Sequence, residues 1–458
     1  MATGISKTKW DGDEDVRYES SSHVATLSYP GKVSIQQILA TPPGRYEFIN
    51  KLEKPLGRLF FDENLPVLSH LRTDKSVLGK VKLIYIDPPY ATGNVFKSRK
   101  QEDAYVDVLT GSNYLEFMRQ RLVFLRELLA DDGSIYVHLD QNMAFHIKIL
   151  MDEVFGVNNF RNWITRKKSN PKNYTRKTYG NISDFILFYS KTDDYIWNRA
   201  YDGWTEEDAK REYPCIEKST GRRFKKVPVH APGTRNGATG KPWRGKMPPE
   251  GKHWQYTPAR LDEMDERGEI YWSPTGNPRR KLYLDQSKGK SVQDIWLDYK
   301  DAHNQNIKIT GYPTEKNPDL LRRIMQASSN PGDLVLDCFA GSGTTLAVAS
   351  EMGRRWIGVD NSNLAIETIL KRFMYGTQAM GDFVNEKSSD LLSNSADPLN
   401  FTIFCEEERV QDIAEMISTL AESKPDEGYD INGSNTMIQG DSNKVNSKYD
   451  VVQLGLGL

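Results

Sequence analysis

Residues 334–345 read Leu334-Val335-Leu336-Asp337-Cys338-Phe339-Ala340-Gly341-Ser342-Gly343-Thr344-Thr345. The apolar start suits a short buried strand, and Thr344 to Met352 carries the apolar spacing of a helix. A strand that passes through a glycine turn into a helix builds a ligand cradle. The two glycines let a ligand approach the backbone, and the helix N-terminus offers free N–H donors to a carboxylate or phosphate. Trp356 to Val359 reads as the next strand and ends at Asp360, nineteen residues after Gly341. A carboxylate there can accept both hydroxyls of a ribose, so the pair implies a nucleoside-containing cofactor. The dinucleotide fingerprint is incomplete, because Leu346 stands where its third glycine belongs. Asp337, Phe339, Ala340, Gly341, Ser342, Gly343, Thr344 and Asp360 are the candidate cofactor-binding residues from this block.

Outward from this block the same alternation recurs. Leu59-Phe60-Phe61 and Val81 to Ile86 (VKLIYI) are apolar runs suited to strands buried on both faces at the centre of a parallel sheet. A helix is expected from Asn113, with Glu116 closing a capping box, and Asp131-Asp132-Gly133 is expected to end it. Ser134 to Leu139, Met143 to Phe155 and Phe185 to Tyr189 follow as strand, helix and strand. From Tyr195 to about Ile309 the periodicity lapses into a stretch rich in Gly, Pro, Trp and basic residues, which reads as an inserted lobe. The expected organisation is an N-terminal extension over 1–45, flexible or on the surface; a catalytic first part over 46–195; and the lobe over 196–309. A cofactor-binding second part over 310–380 and an acidic C-terminal extension over 381–458 complete it, the tail having only Phe401 to Leu420 capable of structure.

The 458 residues carry a net charge of −1, but the charge is segregated. Arg161 to Arg260 holds 22 Lys/Arg against 10 Asp/Glu, whereas Gly381 to Leu458 holds 5 against 15. A concentrated basic stretch is what neutralising phosphates requires, and a solvated basic face is its plainer reading. Cys215, Cys338 and Cys405 form neither a disulfide framework nor zinc-ligand spacing, so no metal is expected. No membrane span is expected, and an N-terminus without the layout of a signal peptide predicts a cytoplasmic protein.

Directly after VKLIYI stands Asp87-Pro88-Pro89-Tyr90, at the carboxyl edge where open sheets bind ligands. An exocyclic amine on a nucleobase is a poor nucleophile, because its lone pair is delocalised into the ring. Acceptors that favour a pyramidal, positively charged nitrogen correct this, and the Asp87 carboxylate with the Pro88 carbonyl would supply them. The prolines, Pro88 and Pro89, fix that carbonyl and add no competing N–H donor, and Tyr90 offers a face on which an extruded base can stack.

With these two motifs the chain resembles the β group of DNA amino-methyltransferases, in which the DPPY motif precedes the FxGxG motif and the target-recognition segment lies between. The resemblance runs from about Arg58 to Phe373, and Leu83 to Asn94 (LIYIDPPYATGN) is especially similar to Type III restriction-modification Mod subunits and their stand-alone relatives. It implies an α/β, Rossmann-like methyltransferase fold with circularly permuted motif order and an inserted target-recognition lobe. It implies S-adenosylmethionine as cofactor and duplex DNA as partner, with a restriction subunit and a second copy of the chain as further candidate partners. The family's Thr-x-Lys-Pro element, which holds the methionine end of the cofactor, matches Thr314-Glu315-Lys316 with Asn317 intervening before Pro318. Lys316 carries over on that basis. The family's Gly-Asp-x-Leu element appears as Asp62-Glu63-Asn64-Leu65, which places Glu63 near the cofactor adenine.

The resemblance implies methylation of adenine N6 in a flipped-out base, with cytosine N4 as the alternative, since N4 enzymes more often begin the tetrapeptide with Ser. A nicotinamide-dependent oxidoreductase or a catalytically inactive DNA-binding protein would leave Asp87 to Tyr90 without a role. His138 reads as a packed sheet histidine outside the site. Trp243, Trp254 and Trp272, interleaved with Lys241, Arg244, Lys246, Lys252, Arg279 and Arg280, read either as DNA-contacting residues or as the core of the lobe.

Overall fold

The computed structural model describes residues 25–49, 52, 54–89, 95–97, 103–106, 111–170, 177–300, 308–310, 312, 315–376, 378–379 and 399–422. Ten strands form the main sheet: β1 (Glu47–Phe48), β2 (Gly57–Phe61), β3 (Val81–Ile86), β4 (Leu129–Leu139), β5 (Phe160–Lys167), β6 (Ser183–Ser190), β7 (Ile295–Trp296), β8 (Leu334–Asp337), β9 (Arg355–Asp360) and β10 (Phe401–Cys405). Their order is β1-β10-β2-β9-β8-β3-β4-β6-β5-β7. The six strands from β10 to β4 are mutually parallel, while β6 runs antiparallel to both β4 and β5. This is a Rossmann-like sheet with an antiparallel hairpin at one side, covered by helices on both faces. Helices α2 (Asn64–Thr73), α3 (Gly111–Leu128) and α4 (Ala144–Phe155) share one apolar core. Helices α7 (Pro318–Ser328), α8 (Thr344–Glu351), α9 (Asn363–Tyr375) and α10 (Val410–Glu422) share the other. β3 feeds both: Val81, Ile84 and Ile86 enter the first core, Leu83 and Tyr85 the second.

Four expectations need correction. Helix α3 begins at Gly111, so Asn113 lies inside it and the expected capping box does not form. Glu116 is taken by another partner: its carboxylate accepts from the Tyr29 hydroxyl at 2.8 Å and the Val33 N–H at 3.4 Å. Asp131 to Gly133 do not separate helix from strand, because β4 starts at Leu129 and carries them as a register shift against β3. A Cβ on Gly133 would lie 2.8 Å from the Val81 carbonyl oxygen, which explains the glycine at that shift. The described part of the N-terminal extension is held down: Leu27, Tyr29 and Val33 pack on the first core, Ile38 of the short helix α1 (Ile35–Leu39) is buried in it, and Lys32 pairs with Glu153 at 2.7 Å. The acidic tail is not wholly an extension either. β10 pairs in parallel with β2, and Phe401, Ile403, Cys405 and Ile413 are fully buried.

Between β6 and α7 the chain leaves the sheet and builds the lobe. A four-stranded antiparallel sheet there joins Cys215–Ile216, Arg223–Pro228, Pro278–Tyr283 and Ile270–Trp272. Helix α5 (Glu206–Glu212) and helix α6 (Pro258–Glu266) also belong to this stretch. Val229, Trp243, Trp254, Leu261, Met264 and Ile270 form its own core, so Trp243 and Trp254 are packing residues, and Trp272 stacks on Trp243 at 5.1 Å. The lobe's root belongs to the main sheet: β7 pairs with β5, and Trp296 is buried in the second core. Among the described residues, no helix is long and apolar enough to cross a membrane.

Candidate active site

The strand order reverses between β8 and β3, which leaves a crevice at their carboxyl ends. Asp87-Pro88-Pro89 follows β3 and the glycine turn follows β8, so both motifs open into that crevice. Gly341 and Gly343 adopt φ of +51° and +71°, in the left-handed region where a side chain is strained. A Cβ on Gly343 would also lie 2.8 Å from Ile369 Cγ1. The role of the absent third glycine, close helix–strand packing, is met from the other partner. Gly358 of β9 lies under Leu346 of α8, and a Cβ there would come within 2.5 Å of Leu346 Cδ1.

Asp360 closes the cradle. Its Oδ2 accepts from the Gly341 N–H at 2.8 Å and its Oδ1 from the Ser362 N–H at 3.0 Å, with the Asn361 N–H as a third backbone donor, so a lone pair remains for a ribose hydroxyl. Burial raises this carboxyl above its ordinary value. Asp337 is 2% exposed, and burial pushes it up to about 7 although its Oδ1 accepts from the Phe339 N–H at 3.0 Å. The buried Ser342 and Thr344 hydroxyls lie 3.0 Å apart at the start of α8, and the Ala340 N–H donates to the Val359 carbonyl at 3.0 Å. These residues fit a nucleoside cofactor with an anionic end: left-handed glycines, helix N–H donors and an inward carboxylate.

Lys316 does more than its sequence context predicts. Its ammonium lies 2.6 Å from Asp87 Oδ2, which joins the cofactor side of the crevice to the carboxylate after β3. Glu315 beside it is buried, accepts from Thr310 and pairs with Arg372, and Asn317 caps α7. Glu63 is less central than its neighbours. It caps α2 through the Leu65 N–H at 2.8 Å and pairs with Arg121, and among the described residues it is linked to the glycine turn through Arg121 and Asn64, whose amide donates to the Cys338 carbonyl at 2.8 Å. Tyr90 and Thr314 lie outside the described residues.

Sequence reasoning left out the groups behind Asp87. His138 on β4 is fully buried, with Nδ1 2.8 Å from the Tyr85 hydroxyl and 4.0 Å from Asp87 Oδ1. Its Nε2 lies 2.9 Å from Asp184 Oδ2 on β6, and Arg166 on β5 donates twice to Asp184 at 2.8 and 2.7 Å. Burial alone would raise the Asp184 carboxyl, but His138 and Arg166 outweigh it and hold the group well below the usual carboxylate range. Burial, reinforced by Asp87, drives the Tyr85 hydroxyl well up. The available signal was charge in otherwise apolar strands: one histidine in SIYVHL and one aspartate before FILFY.

A Rossmann-like sheet whose switch point holds a glycine cradle beside an Asp-Pro-Pro turn defines a methyltransferase fold. Residues 81–371 match the DNA methylase family N6_N4_Mtase, and the chain belongs to it. It is 47% identical over 400 residues to Type II methyltransferase M.EcaI of Enterobacter cloacae, covering 84% of this chain and 87% of that protein. It is 27% identical over 359 residues to the StyLTI Mod subunit of the Type III restriction-modification enzyme of Salmonella typhimurium, covering 69% of this chain. The chain spans about half the length of the Type III Mod subunits it matches. The M1.HpyAVI–SAM complex aligns with a TM-score of 0.38 and 15% identity, over 69% of this chain and 98% of that one.

Proposed function

We propose that this DNA methyltransferase methylates the N6 amino group of adenine, extruded from duplex DNA, with S-adenosylmethionine as donor. The observation that carries the reading is the placement of Asp87 at the carboxyl end of β3, beside the strand that bears the glycine cradle. A carboxylate and a proline-fixed carbonyl there can hold an exocyclic amine and stabilise the positive charge it gains. S-adenosylmethionine supplies an electrophilic methyl group on a sulfonium. The turn Asp337 to Thr344 and the Asp360 carboxylate bind it, Lys316 bridges to Asp87, Glu63 supports the turn through Arg121, and Tyr90 stacks on the extruded base. An aspartate at the head of the tetrapeptide supports adenine over cytosine.

The lobe over 196–309 is read as the target-recognition domain. Burial, then the positive charges of Lys252 and Arg279, depress the His230 imidazole, so two cations of the lobe act on one point of it, which supports a phosphate-facing role. A restriction subunit and a second copy of the chain are its proposed protein partners, and the cytoplasm its compartment. Mass spectrometry of nucleosides from duplex DNA incubated with protein and S-adenosylmethionine tests the reading. N6-methyladenine is expected; N4-methylcytosine would move the assignment to the other base, and no methylated base on any duplex would sink it.

A further inference from the structure

Tyr85, His138, Asp184 and Arg166 are each 3% exposed or less, on strands that pack against the two apolar cores. Taking such groups out of water is costly, and apolar residues of similar volume would hold the strands together as well. Their arrangement is directional. Arg166 fixes Asp184 from β5 and donates onward to the Tyr299 carbonyl at 3.2 Å. Asp184 Oδ2 lies 2.9 Å from His138 Nε2 as an ion-pair contact, and Nδ1 is turned to Tyr85 and Asp87. The two oxygens of Asp87 are thereby divided, Oδ2 to Lys316 and Oδ1 toward the imidazole.

We propose that His138, oriented by Asp184 and Arg166, is a positioning residue that acts on methyl transfer through Asp87 and takes over the proton shed by the methylated amine. The proposal rests on reading Asp87 as the carboxylate that holds the amine. As the amine lone pair forms the N–C bond, the C–S bond of the donor breaks, and its electron pair stays on sulfur. The nitrogen then carries a surplus proton, which passes to Asp87. Once the Tyr85 hydroxyl turns away from Nδ1, transfer from Oδ1 to Nδ1 restores the carboxylate and creates an imidazolium beside Asp184, and that proton returns to solvent after product leaves. A carboxylate that fixes one imidazole nitrogen so that the other accepts a proton is an arrangement that nucleophilic enzymes use repeatedly. Closing the 4.0 Å gap to hydrogen-bond length takes about 1 Å, within the tightening that catalytic contacts show on substrate binding.

The groups facing His138 are Tyr85 and Asp87 on and after β3, Asp184 on β6 and Arg166 beyond it on β5, with Asp337 of β8 near enough to Tyr85 to raise it. The test is a rapid-quench single-turnover measurement on the full chain with duplex DNA and S-adenosylmethionine, in light and in heavy water. His138→Gln and Asp184→Asn are compared with Asp87→Ala. The wild-type rate should be lower in heavy water, because a proton moves from Oδ1 to Nδ1. Both relay variants should be slower by about 10- to 100-fold and lose that solvent isotope effect, with DNA and cofactor affinities unchanged. A His138→Gln protein that keeps the wild-type rate, or is slow but keeps the isotope effect, overturns the proposal while an inactive Asp87→Ala leaves the site reading intact. Should His138→Gln not fold, the rate and isotope effect of Asp184→Asn decide the proposal in the same way. A fully active Asp87→Ala overturns the site reading itself.

Discussion

Gly358 offers a direct measurement of how the cofactor cradle is held. In Gly358→Ala the added carbon would lie 2.5 Å from Leu346 Cδ1 and 2.9 Å from Cδ2, both on a fully buried side chain. No rotamer change clears two methyl groups at once, so α8 must lift from β9 or the leucine must leave its well. Overpacking of this kind costs about 1 to 3 kcal/mol. Leu346→Ala alone empties the same contact and should cost about 2 to 5 kcal/mol. In the double variant the new methyl enters the space the leucine vacates, so the two losses should fail to add by about 1 to 2 kcal/mol. Denaturant unfolding of the four proteins gives this coupling, and calorimetry with S-adenosylmethionine reads the consequence at the site. Because Gly343 and Thr344 begin α8, Gly358→Ala should weaken cofactor binding about tenfold, and adding Leu346→Ala should recover part of it. Strict additivity, or a Gly358→Ala protein as stable as wild type, would refute the account of Gly358 as the packing glycine.

Asp87→Ala should lower kcat by about 10² to 10³ while calorimetric cofactor affinity largely survives, since the lost group acts on the developing positive charge. Asp360→Ala should weaken S-adenosylmethionine binding by about 1.5 to 3 kcal/mol, and unchanged binding would move the ribose elsewhere. Asp337, with its carboxyl raised to about 7 from 3.8, stays protonated in the fold where the unfolded chain has ionised. Its contribution to stability is full below about pH 4, falls as pH rises and is gone above about 7, so Asp337→Asn should flatten the unfolding free energy across that window. A chain ending before Leu399 loses Phe401, Ile403, Cys405, Ile413 and Leu420 from the second core, at about 1.5 to 3 kcal/mol per large apolar side chain. That sum rivals a domain's whole stability, so circular dichroism should show the shortened protein unfolded.

The parallel centre of the sheet is legible in the sequence because strands buried on both faces need apolar residues at nearly every position: VKLIYI, LVL and WIGV stand out for that reason. β5 does not stand out, because FRNWITRK buries little beyond Ile164 and Arg166, and apart from Phe160 and Trp163 its remaining positions are half-exposed and polar. β10 reads only as capable of structure, since nothing local says that FTIFC pairs with a strand more than 300 residues earlier in the chain. The start of α3 misleads because an Asn followed by a Glu three residues on has the form of a cap, whereas Glu116 answers to Tyr29 and Val33, 87 and 83 residues away. The same limit applies at the site. The glycine turn and Asp87 are recognisable from contiguous residues, but the pairing of Lys316 with Asp87 and the run from His138 to Arg166 exist only across strands.

The order of the two motifs along the chain has little bearing on the chemistry, because what matters is that β8 and β3 are neighbours at the switch point. Exchanging which motif comes first changes loop connections and leaves the crevice as it is. The insertion does carry a consequence, since the lobe departs after β6 and its exit segment returns along β5 through β7. That exit is wired to both sides of the crevice: the Tyr299 carbonyl accepts from Arg166, and the Lys300 carbonyl accepts from Asn317, the residue next to Lys316. Any rotation of the lobe about its root must break or shift these bonds. The chain leaving the lobe is thus tied to Arg166, which holds Asp184 beside His138, and to Asn317, the neighbour of the lysine paired with Asp87.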